Sequence, residues 1–230
     1  MTLQREDAWI LRRRLRPWRR LDLGRRERLE AKTAQFLGHK DFYGCNGLEL
    51  SQEMALLIAG FACLLSLRDA APPFPRLRSV LVYPDAFLVH DTEPDELGLV
   101  NDQPEWRIGE SWDAQRIIVS WPDIEEALAG GPDNVVVHEC AHQLDPEGCG
   151  TPDGVDARRW AAVMQPAYEA LCERGSPIID DYGAESPAEF FAVACECYVQ
   201  RPAALQAAHP ALFTALDRHF GIGPAARSEI

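Results

Sequence analysis

Apolar and polar positions follow two rhythms along this chain, and the rhythms divide it into elements. Residues 20 to 37 repeat at helical spacing and carry a charged face. Ser51 then stands as an N-cap, with Gln52 and Glu53 in the first turn, for a helix predicted to reach about Leu67. Within it, Met54 to Leu65 is an apolar run interrupted only by Gly60, too short to span a bilayer and suited to a buried core helix. Asp69 to Pro75, with three prolines, ends that helix in a loop. Ser79 to Tyr83 and Ala86 to His90 read as strands separated by Pro84-Asp85, and Arg116 to Trp121 is the clearest strand. Residues 91 to 111 between them are acidic and irregular.

The second half is helical. A short helix from Asp123 to Ala129 is closed by Gly130-Gly131-Pro132. Another starts at Asn134 and gives way to a loop from Asp145 to Asp156 rich in Gly, Pro and Asp. Helices follow at about 156–174, 187–200, 202–208 and 210–219. Helices flanking a few strands without strict alternation predict an α+β fold. No repeat breaks the chain up, so the expectation is one domain over 1–230, with a basic arm or first helix at 1–32 and the body at 33–230.

Charge sharpens that division. Residues 1 to 32 hold 11 Lys/Arg against 5 Asp/Glu, and the remaining residues hold 12 against 31, so the two parts carry +6 and −19. The run Arg12-Arg13-Arg14-Leu15-Arg16-Pro17-Trp18-Arg19-Arg20 invites a nucleic-acid or membrane reading. An acidic body would repel phosphate over any extended footprint, so the expectation is a solvated arm or helix that pairs with that body, and neither a nucleic-acid nor a membrane partner. Seven cysteines, an odd number without a Cys-x-x-Cys pair, do not form a disulfide framework. No continuous apolar segment of the secretory kind opens the chain, and a reducing cytoplasm is the simplest home.

Val135-Val136-Val137-His138-Glu139-Cys140-Ala141-His142 contains His-Glu-x-x-His. Two histidines four apart lie on one helix face, where both imidazoles can meet one cation. Glu139 sits one residue round, placed to reach a water on that cation without binding the metal itself. The pattern is expected only about 0.01 times in a random chain of this composition, and an apolar run leads straight into it. A catalytic zinc needs a third protein ligand. Gly148 stands ten residues after His138, where the metzincin pattern needs a histidine, so that class is excluded. Asp145 is followed by Pro146 and reads as a cap or a supporting group. Glu189 and Glu196, seven apart on one face of the helix at 187–200, remain. Ser186-Pro187-Ala188-Glu189 also makes a capping box, whereas Glu196 sits inside an apolar stretch that gives it no such reason, so spacing alone slightly favours Glu196.

The His-Glu-x-x-His motif followed by Gln143-Leu144-Asp145, and then Tyr182-Gly183-Ala184-Glu185-Ser186-Pro187-Ala188-Glu189-Phe190-Phe191-Ala192-Val193, resembles the Mlc titration factor A family of bacterial zinc peptidases. Leu37 to Gly44 and Gly109-Glu110-Ser111-Trp112 agree with it as well, and the similarity covers roughly residues 30 to 220. The resemblance implies a zincin-like fold, a small sheet flanked by helices with the His-Glu-x-x-His helix lining the cleft. It implies one Zn2+ per chain on His138, His142 and Glu189, with Glu139 and Tyr182 as the catalytic pair. Glu196 then becomes a group that orients a histidine. It further implies a cytoplasmic metallopeptidase acting on short peptides, aminopeptidase-like, or alternatively a regulatory protein that sequesters a transcriptional repressor. The loop after His142 is shorter here than in the enteric members, which bears on pocket shape.

Overall fold

The apolar run expected to be a core helix is α3, Gln52–Leu64, and every residue from Leu56 to Leu67 in and after it is buried. Ser51 caps it, its hydroxyl accepting from the Met54 N–H at 3.2 Å. The chain is described here from a computed structural model that covers residues 2–85 and 115–223. The expected strand at Ala86 to His90, the acidic stretch and the Gly109 to Trp112 motif lie outside the described residues.

Around α3 the described elements follow in the order α1 Arg5–Arg14, a 3-10 turn Arg16–Arg20, α2 Leu23–His39, β1 Asp41–Gly44, α3, β2 Ser79–Tyr83 and β3 Arg116–Ser120. Then come α4 Trp121–Ala129, α5 Val135–Leu144, α6 Ala157–Arg174, a 3-10 turn Asp181–Ala184, α7 Pro187–Gln200, α8 Pro202–Ala208 and α9 Pro210–Phe220. The strands form one sheet in the order β1-β2-β3, with both pairs parallel. Val80 stands opposite Phe42 on one side and Ile117 on the other, and Val82 opposite Val119. Parallel neighbours need a crossover, which α3 provides between β1 and β2. Helices mixed with one small parallel sheet agree with the α+β expectation.

Val80, Val82, Ile117 and Val119 point into the core, while Ile118 on the opposite face is 36% exposed. The sheet therefore buries one face, with α5 and α4 packed along β3. Ser120 ends β3 and caps α4 at once, its hydroxyl accepting from the Asp123 N–H at 3.2 Å. Pro122 in the first turn lets α4 begin at Trp121, two residues earlier than its sequence pattern indicates.

The basic N-terminus is folded into the body. Leu11 and Leu15, inside the arginine run, are fully buried, and Gly60 of α3 leaves room for Leu11: a Cβ there would sit 2.8 Å from its Cδ2. Some arginines meet carboxylates, Arg12 with Glu30 at 3.1 Å and Arg14 with Glu53 at 2.6 Å. Others donate to carbonyls at helix C-termini: Arg16 to Ala129 at the end of α4, and Arg20 to Val199 at the end of α7. Arg28 and Arg25 reach the carbonyls of Leu67 and Gly223. Such carbonyls lack helical partners and carry the negative end of the dipole, so guanidinium groups satisfy them well. Gly130, at φ +101, both ends α4 in the left-handed region and leaves the space Arg16 fills, since a Cβ there would fall 1.3 Å from its Nη1.

Candidate metal centre

Asn134 starts the helix that carries the motif, its Oδ1 accepting from the Val137 N–H at 3.1 Å. Val136, Val137, Cys140 and Ala141 turn one face of α5 into the core, which leaves His138, Glu139 and His142 on the half-buried face. α7 packs along α5, with Ser186 capping it through the Glu189 N–H at 3.2 Å and Pro187 at its first position. Glu189 thus enters from the first turn of a helix whose residues Phe190 to Val199 are all buried.

These two helices bring three donors together. Nε2 of His138 lies 3.2 Å from Nε2 of His142 and 3.1 Å from Oε2 of Glu189, and His142 lies 3.4 Å from Oε1 of Glu189. Ligands about 2.0–2.2 Å from a tetrahedral metal stand about 3.3 Å from one another, the separation seen here. Oε2 of Glu189 is buried and accepts no well-directed hydrogen bond despite its nearness to His138. A half-buried carboxylate whose two oxygens face two imidazole nitrogens needs a cation or a proton between them. Two imidazoles and one carboxylate, their ligand atoms within 4.8 Å of one another, fit a metal ion.

Electrostatics point the same way. Burial works against a charged His138, but the Glu189 and Glu196 carboxylates overcome it and push its pKa up to about 10. Burial likewise opposes ionisation of Glu189, yet the two histidines hold its carboxyl down at about 2. The pocket calls for positive charge, which a proton supplies only in the absence of a metal. Glu139 shifts the other way: burial raises its pKa, and the two histidines only partly offset that. A carboxylate that holds protons more tightly than usual is suited to accept one near neutral pH.

Tyr182 sits in the 3-10 turn before α7, where Asp180 accepts from its N–H at 2.9 Å. Its ring centroid lies 6.0 Å from that of His138. Glu196 stands behind the same histidine, its Oε1 2.8 Å from Nδ1. Asp145 caps α5 and gathers the following loop, accepting from the N–H groups of Cys149, Gly150 and Thr151. Sequence reasoning missed what this loop does. A Cβ at Gly150, whose φ is +73, would lie 2.4 Å from the Pro187 carbonyl, and the Trp160 indole donates to the Gly150 carbonyl at 2.8 Å. Asp145, Gly150 and Trp160 thereby press the loop against the first turn of α7, beside Glu189. Gly150 in a Gly-rich loop was the one available signal, and it is a weak one. All seven cysteines lie within the described residues and are free thiols.

A His-Glu-x-x-His helix joined by a glutamate from a later helix belongs to the metallopeptidase class of site. The chain belongs to the glucose-regulated metallo-peptidase M90 family, whose model matches residues 1–221. Over 230 residues it is 40% identical to "Uncharacterized protein slr2042" of Synechocystis sp., spanning 94% of this chain and 83% of that protein. It is 29% identical to Mlc titration factor A of Serratia proteamaculans (90% of this chain, 84% of that protein) and 30% identical to Mlc titration factor A of Yersinia pestis (87% and 79%). Among the described residues no helix is long and apolar enough to cross a membrane.

Proposed function

We propose that this chain is a zinc-dependent peptidase, a single domain over 1–230, that hydrolyses short peptides in an aminopeptidase-like manner in the cytoplasm. His138, His142 and Glu189 would hold one Zn2+, and the observation that supports this reading is the Glu189 carboxylate, one oxygen against each imidazole, with the buried Oε2 beside His138 left uncommitted. Zinc held there supplies Lewis acidity, which makes water a nucleophile near neutral pH and draws charge from a peptide carbonyl. Glu139 takes the proton of the attacking water and returns it to the leaving amine. Tyr182, its ring centroid 6.0 Å from that of His138, donates a hydrogen bond to the oxygen on which charge develops. The Asp145–Gly150–Trp160 clamp fixes the turn from which Glu189 projects. A cleavage profile against a peptide library, with and without chelator, tests the reading. Turnover that survives complete metal removal would sink it.

The name of the Serratia and Yersinia relatives, Mlc titration factor A, supports a second reading, in which the chain also binds a transcriptional repressor of the Mlc kind. Binding of such a repressor by both wild type and a Glu139→Gln variant would establish a role separable from hydrolysis. The peptidase reading includes no nucleic-acid partner, and it is supported by Arg12, Arg14, Arg16 and Arg20 meeting carboxylates and helix-end carbonyls of the body.

A further inference from the structure

Ten consecutive residues of α7, Phe190 to Val199, are buried, and Glu196 is the one charged group among them. Its two oxygens are divided between two donors. Oε1 lies 2.8 Å from Nδ1 of His138, and Oε2 accepts from the Asn134 backbone N–H. Asn134 is the residue whose own side chain caps α5. One carboxylate therefore fastens both the start of the motif helix and the first histidine on it. Glu189, seven residues earlier on the same face of α7, stands 3.1 Å from the opposite nitrogen of the same ring. His138 is gripped between two carboxylates of one helix, one at each nitrogen.

We propose that Glu196 is a positioning residue that selects the metal-binding tautomer of His138 and sets the aim of its ring. This rests on the reading that His138 is a zinc ligand. A carboxylate only accepts hydrogen bonds, so beside Glu196 the ring carries its proton on Nδ1 and leaves the Nε2 lone pair facing His142 and Glu189. An anchor for the helix start alone would use only the Asn134 N–H. The second oxygen, spent on the imidazole, has a task that only the metal site needs. Glutamine keeps the shape and loses this function. With its oxygen toward His138, its NH2 meets the Asn134 N–H, donor against donor. With its NH2 toward His138, the ring must accept at Nδ1 and carry its proton at Nε2, where no lone pair remains for a metal.

The experiment compares zinc affinity by chelator competition in wild type, Glu196→Gln and Asn134→Ala. Visible spectra of the Co2+ forms and melting curves of the metal-free proteins accompany it. Glu196→Gln should bind zinc about 10- to 100-fold more weakly and show an altered Co2+ spectrum. Asn134→Ala removes the helix cap but keeps both Glu196 contacts, so it should melt earlier while its zinc affinity stays near wild type. Should Glu196→Gln fail to fold, nitrogen-15 NMR of zinc-loaded wild type decides. His138 should coordinate through Nε2 and keep a slowly exchanging proton on Nδ1. Equal zinc affinity in wild type and Glu196→Gln, or coordination of His138 through Nδ1, overturns the proposal while the zinc reading stands. A wild type that takes up no zinc overturns the zinc reading itself, and this inference with it.

Discussion

The arginine-rich N-terminus and the pocket between α5 and α7 both place charged groups against the protein interior, and they settle them in opposite ways. At the N-terminus the guanidinium groups meet acceptors the fold already owns: Ala129 and Val199 carbonyls for Arg16 and Arg20, carboxylates for Arg12 and Arg14, with the Nε of half-buried Arg20 alone among these four left buried without a partner. Burial lowers the Arg20 pKa only to about 10, so it stays charged on its carbonyl. In the pocket the donors face one another instead. Two imidazole nitrogens and the Glu189 oxygens converge with a buried oxygen uncommitted. Charge that is locally satisfied holds a fold together, whereas charge left facing inward across a gap is a site awaiting a ligand.

The hardest test of that contrast removes the converging donors. Glu189→Ala should lose its zinc and with it all measurable peptidase activity, as metal analysis and chelator-controlled assays would register. Retained stoichiometric zinc would mean the third ligand lies elsewhere. Glu139→Gln should keep its zinc and lose about 100- to 10,000-fold in turnover, the share a positioned general base supplies. Tyr182→Phe should lose up to about 100- to 1000-fold in kcat with KM little changed, because it removes one oxyanion donor only. Steady-state kinetics at equal zinc content separate the two. Full turnover in Tyr182→Phe would make that tyrosine structural.

Much of this pocket was legible in the chain because its signals are local. Two histidines four apart and the Asn134 start of α5 need only helical geometry, and the Ser186-Pro187 start of α7 is read the same way. Spacing also put Glu189 and Glu196 on one face of α7. It could not say which end of that face meets the Nε2 atoms, because the helix packing decides that. Taken alone it leaned toward Glu196, whereas the structure sets Glu189 between both Nε2 atoms and Glu196 behind His138. β1 escaped notice for a related reason. Asp41-Phe42-Tyr43-Gly44 is short and mostly exposed, and it becomes a strand through parallel pairing with residues 38 positions later. The N-terminus hid most, since composition displays arginines but not the carbonyls that meet them.

Protons offer a subtler probe of the same pocket. In the metal-free protein His138 titrates at about 10, above its ordinary value. Its contribution to stability is therefore complete below the ordinary histidine pKa, about 6.5, and is lost as pH rises through about 10. Glu189, held at about 2, contributes fully above the ordinary carboxylate range and loses its share as pH falls through about 2. Metal-free protein should accordingly melt at lower temperature as pH climbs from about 6.5 toward 10. Bound zinc should flatten that slope, and zinc uptake at pH 7 should release protons, measurable in weakly buffered calorimetry. Identical alkaline slopes with and without zinc would place the metal away from His138.

The smallest effects on catalysis belong to the N-terminus, and there the prediction is that stability moves while turnover does not. Leu11 is fully buried against α3, so Leu11→Ala should cost about 2–5 kcal/mol. Arg16 is exposed and makes one 2.9 Å bond to Ala129 while lying over Gly130. Arg16→Met keeps the stem and removes the donors, so its cost should be about 1 kcal/mol, or a fall of about 2–4 °C in Tm for a chain of this size. The ordering follows from what each change leaves behind. Alanine at 11 opens a cavity that no water fills favourably, whereas water can reach the Ala129 carbonyl once the guanidinium is gone. Both variants should keep wild-type kcat/KM and zinc content. The basic segment would have to be read again if Arg16→Met left Tm unchanged while abolishing a salt-sensitive affinity for duplex DNA. That result would mean the arginines serve a phosphate backbone and only incidentally the end of α4.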